Sequence, residues 1–308
     1  MTVNTDGTTA GSPTPRDPKA FPIDERAFKR LKPEDLQFIK NLTGLTDDEA
    51  LEKHVVSLQK EAYEIYPYQC IRFYSFATTR IPLVPNYAHV VKLGQEREDA
   101  ILLDVGCCFG SDSRKVAVDG WPAKNIVATD IHGDYWNLGH KLFRSSQETF
   151  PATFLAGDCL NPDFVGDSSP LKSGGPAEVP RPTLSTLTTL APLRGHVSAI
   201  HIGNVFHLFT EEQQAYLARV LAGLLSFEPG SIIVGSHSAS NVKGFRTSFY
   251  GGSAITQFCH CPESWTALWD GEVFEKGTVK VDTKLYEHKD ALGAGSGFYG
   301  LSWSVMRV

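Results

Sequence analysis

Three aspartates close three successive apolar runs: Asp104 in "AILLDV", Asp130 in "NIVATDI" and Asp158 in "ATFLAGD". Asp104 leads into Gly106-Cys107-Cys108-Phe109-Gly110, a small-residue loop that opens onto the helical segment "SDSRKVAVDG". Carboxylates are hydrogen-bond acceptors. Asp130 suits the two hydroxyls of a ribose, and Asp158 suits an exocyclic amine such as that of adenine. Asp104 suits the amino group of a methionine moiety. The helix after the loop has free N–H groups at its N-terminus that receive polar or anionic groups. Gly106 and Gly110 let the backbone approach a ligand closely. Each acid alone could be a helix cap; three in series make an adenosine site.

A dinucleotide site, and with it a nicotinamide-dependent reductase, asks for G-x-G-x-x-G. Here Cys108 stands at the second glycine and Ser111 at the third. An acid at 104 would also sit badly beside a pyrophosphate. These residues point instead to S-adenosylmethionine, with Asp104, Gly106, Cys108, Gly110, Asp130 and its neighbour Ile131, Asp158 and its neighbour Cys159, Asn204 and Tyr68 as the cofactor-binding candidates.

Two histidines follow later apolar runs, His207 in "NVFHLF" and His237 in "GSHS". Ligands of open α/β sheets bind beyond the carboxyl ends of the strands, so both His207 and His237 are candidates to orient or deprotonate an acceptor. Trp265 and Trp269, at i and i+4, are either an aromatic wall over an apolar substrate or core. Arg246 either holds a carboxylate bidentately or is solvated surface. Cys107 and Cys108 are explained more simply as small residues at a strand-to-helix turn than as a redox couple. The cluster "CHC" at 259–261 has metal-ligand types, yet no second cluster completes a site. Cys261-Pro262 fits a helix start instead. No metal is expected.

These residues need a frame to position them. Short, continuously apolar runs alternate with helical segments from residue 100: "AILLDV", "NIVATDI", "ATFLAGD", "VSAIHIGNV" and "GSIIVGSHS". That pattern implies a parallel sheet covered on both faces. Two alternating runs, "TVKVDTKLYEH" and "FYGLSWSVMRV", close the chain as an edge hairpin around "KDALGAGSG". The fold class is therefore α/β, a Rossmann-like, mostly parallel sheet of seven strands ending in an antiparallel hairpin. Thr210 and Gln213 have the spacing of a capping box before "EEQQAYLARVLAGLLSF".

Ahead of the sheet, Leu36, Ile39 and Leu42 mark one helical face, and Val55, Leu58 and Ala62 a second after Gly44. The aromatic, proline-bounded "YPYQCIRFYSFATTRIPLVPNY" is either a lid, with Tyr68 touching the cofactor, or the docking of this arm onto the core. The expected organisation is a disordered tail over 1–22, a helical arm and lid over 23–95, and the catalytic core over 96–308. Within the core, a Pro/Ser/Thr-rich loop is inserted at about 160–196 and a substrate-cap segment spans about 239–275.

Composition narrows the partner. At 42% hydrophobic and 21% charged the chain is an ordinary globular protein, and its net charge of −6 disfavours nucleic acid. No apolar run approaches a membrane span, and the N-terminus lacks a secretory signal. A cytoplasmic enzyme acting on a small molecule is expected, as a monomer or a homodimer.

On these residues the sequence resembles the class I methyltransferases. More narrowly, "YPYQCIRFYSF", "LLDVGCCFGSDSRKVAVDG", "TDIHGDYWNLGHKLFR", "FLAGD", "NVFHLFTEEQQ", "EPGSIIVGSH", "CHCPESWTALWD" and "LSWSVMRV" look like the fungal small-molecule methyltransferases of polyketide and meroterpenoid pathways, including those of austinol and terretonin biosynthesis. The likeness spans about residues 60 to 308. It implies O-methylation in specialised metabolism, most often of a carboxylate to a methyl ester, with the segment around His207 facing the transferred methyl. A phenol or enol acceptor such as a hydroxypyrone is the alternative, as is a cofactor-binding partner subunit without its own activity.

Overall fold

The computed structural model describes residues 22–167, 180–250, 253–287 and 298–308. The expected tail apart from Pro22, the centre of the expected insert at 168–179 and the glycine-rich turn at 288–297 lie outside the described residues.

After a 3-10 helix at Glu25–Arg30, the arm continues with α1 (Pro33–Thr43) and α2 (Asp48–Ile65). Gly44, at φ 71°, stops α1 in the left-handed conformation that glycine adopts without strain. Asp47 starts α2 by accepting a hydrogen bond from the Ala50 amide. A short α3 (Gln69–Arg72) and α4 (Tyr87–Glu96) carry the chain to the sheet.

There β1 (Leu102–Val105), α5 (Ser111–Val118), β2 (Ile126–Asp130), α6 (Gly133–Leu142), β3 (Thr153–Ala156) and α7 (Pro162–Val165) alternate. They are followed by β4 (Ala199–Gly203), α8 (Glu211–Leu224) and β5 (Ile232–Ala239). Both bonds of the Thr210–Gln213 capping box form at the start of α8. The chain ends with β6 (Gly244–Tyr250), β7 (Ser253–Cys259), α9 (Pro262–Trp269), β8 (Val279–Glu287) and β9 (Tyr299–Arg307).

Seven strands form one sheet in the order β3-β2-β1-β4-β5-β9-β8. The first five are parallel, and β9 runs antiparallel between β5 and β8. Both faces are covered, as continuously apolar strands require. Leu103, Val105, Val127 and Ile200 enter one core with α8 and α9, while Leu102, Ile126, Ala128 and Val234 enter another with α4 and α5. A third cluster joins the arm to the core: Ile39, Leu51, Val55, Ile71 and Tyr74 pack with Phe109, Tyr135, Leu138 and Leu142.

Within the segment expected as a substrate cap, about 239–275, β6 and β7 form a separate two-stranded sheet. Both strands mix polar and apolar residues and are flanked by glycines, so the strand signal in sequence is weak. Among the described residues, no helix is long and apolar enough to cross a membrane.

Candidate cofactor and acceptor site

The strand ends of β3, β2, β1 and β4 lie in that order along one edge of the sheet. The loop after β1 is pinned to the end of β2, because the Gly106 and Cys107 amides both donate to the Thr129 carbonyl, at 2.8 and 3.1 Å. Three of its residues are left-handed: Gly106 at φ 70°, Cys108 at φ 51° and Gly110 at φ 68°. A side chain at 110 would come within 2.6 Å of the Trp136 ring, and one at 106 would strike Val205. Cys108 has no such steric exemption, and its conformation costs about 1 kcal/mol. Its amide donates to Asp130 Oδ2 at 2.9 Å, and the His132 amide donates to Oδ1 at 2.9 Å.

Asp130 is half-buried at the end of β2, and burial pushes its carboxyl above the usual range. Asp158 is exposed beyond β3 and accepts from the Leu160 amide. Beside it, burial pushes the Cys159 thiol up to about 12. Ile131 presents an exposed side chain next to Asp130. Asn204 follows β4 at φ 59°, its amide donating to the Ser236 carbonyl. These residues line the same edge.

Asp104 does not join them. It is 2% exposed, and its carboxylate accepts from the Ser113 hydroxyl at 2.5 Å and pairs with His201 Nδ1 at 2.8 Å. Asp104 is thus engaged in an inward network with its neighbours on α5 and β4. The network continues from His201 Nε2 to Asp112 Oδ2 at 3.9 Å. Asp112 in turn accepts from the Arg80 and Ile81 amides, at 2.6 and 2.9 Å, and so ties the arm to the first turn of α5. Neither His201 nor Asp112 stands out in sequence. An acid in a helix's first turn is common, and His201 lies inside an apolar strand.

The arm closes onto this edge through aromatic contacts. The Tyr68 hydroxyl lies 3.2 Å from His132 Nε2, Tyr66 stacks on His132, and the Tyr135 hydroxyl donates to the Tyr66 carbonyl. The thiols of Cys70 on α3 and Cys108 in the loop are hydrogen-bonded to each other. That bond holds the Cys70 thiol's pKa below its ordinary value and, together with burial, pushes that of Cys108 well above it. Arg80, also from the arm, donates from its guanidinium to the Ser75 hydroxyl. The aromatic stretch therefore both docks on the core and borders the loop.

Beyond β4 and β5 the placements diverge. His207 is half-buried, and its Nδ1 accepts from the Ser238 amide at 3.4 Å. His237 is 2% exposed, enclosed by Phe206, Trp265 and Trp303, with Nδ1 accepting from the Trp303 indole at 3.0 Å. Burial, reinforced by His207 and His260, holds it well below the usual histidine range. A neutral imidazole in an aromatic shell is a core residue. Trp265 and Trp269 are fully buried in that same shell, so they are core rather than a wall open to substrate. Cys261 caps α9, whose first residue is Pro262. Among the described residues, no group of three His, Cys, Asp or Glu side chains could hold a metal ion. Arg246 lies on β6, with its guanidinium over the Phe298 ring.

Comparison with known proteins gives the geometry a context. Residues 24–77 match the family model of the meroterpenoid methyltransferase N-terminal domain. The chain is 27% identical over 301 residues to the Asnovolin E/Chermesin D methyltransferase nvfJ of Aspergillus novofumigatus, covering 96% of this chain and 98% of that one. It is 29% identical over 253 residues to the O-methyltransferase phiE of a fungal species, covering 82% and 75%. The methyltransferase ausD of Penicillium brasilianum is 28% identical, covering 83% and 82%. A solved structure of a putative S-adenosylmethionine-dependent methyltransferase from Listeria monocytogenes aligns with 71% of this chain and 97% of its own, at 10% identity and a TM-score of 0.42.

Proposed function

We propose that this chain, a methyltransferase of the fungal secondary-metabolism type, methylates a carboxylate oxygen of a small apolar natural-product acid with S-adenosylmethionine as donor. The observation that carries the reading is the cradle at the sheet edge. Asp130 holds the amide of a left-handed Cys108, between glycines whose added side chains would collide with Val205 and Trp136. Such a cradle keeps the backbone bare for a ligand, and the residues present fit that cofactor. Asp130 and Ile131 would meet the ribose end, Asp158 and Cys159 the base, and the 106–110 loop and Asn204 the amino-acid end. Tyr68 would close over them from the arm.

When bound, this cofactor supplies a methyl group already activated on a sulfonium, so the chain's own tasks are alignment and exclusion of water. The docked arm is suited to exclusion, since Tyr66, Tyr68 and Tyr135 shield the edge next to Asp130. Alignment falls to His207. Its Nδ1 accepts a hydrogen bond, which leaves the proton of the neutral ring on Nε2. In that tautomer Nε2 donates to an acceptor oxygen rather than removing a proton from it. A carboxylate, ionised near pH 7 with a pKa of about 4, needs no base.

The test is calorimetric titration with S-adenosylhomocysteine and, separately, with NAD, followed by mass spectrometry of candidate acids incubated with methyl-labelled donor. Binding of S-adenosylhomocysteine without NAD, and label recovered as a methyl ester, is expected. NAD binding, or label on carbon or nitrogen, would overturn the reading.

A further inference from the structure

Arg246 carries a guanidinium that has no hydrogen-bond acceptor among the described residues. Its three guanidinium nitrogens are shielded from solvent, and none has a hydrogen-bond partner. Phe298 covers one side, with its ring centroid 4.2 Å from Cζ. Gln257 stands directly across on β7, and Cys259 lies close enough for the cation to act against the burial that raises its thiol. A guanidinium out of water and without an acceptor is strongly disfavoured. Its N–H groups lie in its own plane, so an aromatic ring against one side leaves their hydrogen-bonding capacity unused.

The location says which ligand would answer it. The hairpin of β6 and β7 leaves the carboxyl end of β5, and Phe298 directly precedes Tyr299, which pairs with Ala239, the last residue of β5. Arg246 and Phe298 therefore meet at the β5 side of the edge, away from the ends of β2 and β3 that carry Asp130 and Asp158.

We propose that Arg246, backed by Phe298, is the anion site that selects the acceptor: a carboxylate held by two parallel N–H···O bonds. This rests on the reading of the acceptor as an acid and adds the residue that recognises it. Each carboxylate oxygen has a second lone pair left over for reaction. Methylation removes the charge, so the same guanidinium that gathers the acid releases the neutral ester.

Thermal-shift titrations can test the site with benzoate, methyl benzoate and sulfate, in the presence of S-adenosylhomocysteine, on wild type, Arg246→Gln and Arg246→Lys. Benzoate is expected to raise the melting temperature of the wild type while methyl benzoate and sulfate do not. Half-saturation should move roughly ten- to a hundredfold higher in Arg246→Gln. Arg246→Lys should fall between, because the charge stays but the planar fork is lost. A wild type indifferent to benzoate, equal responses in wild type and Arg246→Gln, or sulfate or ester as effective as benzoate would each overturn the site. The cofactor reading is judged separately, by whether S-adenosylhomocysteine alone stabilises the wild type. Should Arg246→Gln fail to fold, Arg246→Lys decides.

Discussion

His201 on β4 stands directly opposite Asp104 on β1 in the sheet register, and its Nδ1 lies 2.8 Å from Asp104 Oδ1 beneath the Gly106–Gly110 loop. Burial alone would lower the imidazole's affinity for its proton, but Asp104, with Asp112 behind it, outweighs burial and raises it. A histidine whose folded-state pKa is raised contributes stability that is complete below its unfolded value of about 6.5 and lost as pH rises through the folded value. Melting temperature should therefore decline above neutral pH by a component that His201→Asn abolishes. Breaking this buried pair should itself cost about 3 kcal/mol. A variant as stable as the wild type, with an unchanged pH profile, would show that the pair contributes nothing.

Asp130 accepts two backbone N–H groups and would also meet the ribose. Asp130→Ala should weaken S-adenosylhomocysteine binding by about 1.5–3 kcal/mol, read by calorimetry. Unchanged affinity would remove Asp130 from the cofactor site.

Cys108 provides a test of strain against redox chemistry. Glycine at φ 51° is unstrained, so Cys108→Gly should relieve about 1 kcal/mol while losing the contact with Cys70, leaving stability and cofactor affinity close to wild type. Cys108→Val places a β-branched residue in the same conformation and should destabilise by about 1–3 kcal/mol. Loss of binding in the glycine variant would mean that the thiol itself is required.

The arm is tied down by Asp112 through the Arg80 and Ile81 amides. Asp112→Ala should speed tryptic cleavage after Arg72 and Arg80 and weaken S-adenosylhomocysteine binding by about tenfold. His201→Asn, which keeps those two bonds, is the control. Equal cleavage in wild type and Asp112→Ala would show that the tether does not hold the arm.

His207 separates the two kinds of acceptor. With a carboxylate, His207→Asn keeps a donor and should cost about tenfold in turnover, or 1.4 kcal/mol, with little change in the pH–rate profile. With a phenol or enol it removes a base whose contribution is about 10²–10⁴-fold, and activity should recover as pH rises toward the acceptor's own pKa. A hundredfold loss restored at high pH would therefore replace the carboxylate with a phenol.

Sequence by itself determined the features that depend on chain neighbours. Apolar runs such as "AILLDV" specify buried parallel strands because backbone and side-chain periodicity are local. Thr210 and Gln213 cap α8 within one turn, and Gly44 stops α1 by its own φ. Asp130 at the end of β2, and the turn from Gly106 to Gly110, were legible for the same reason.

Only the tertiary structure decided where side chains find partners far along the chain. The buried partner of Asp104, His201, lies 97 residues away and is brought opposite it only by the β1–β4 register. His237 reads as a site candidate, and Trp265 and Trp269 as wall or core alike, until α9 folds back and encloses all three with Trp303. Arg246 reads as solvated surface or anion holder equally, and only the fold shows Phe298 lying against its guanidinium. Burial is a sum over contacts from distant segments, and electrostatic partners follow from strand register and docking, so neither is encoded in the spacing of adjacent residues.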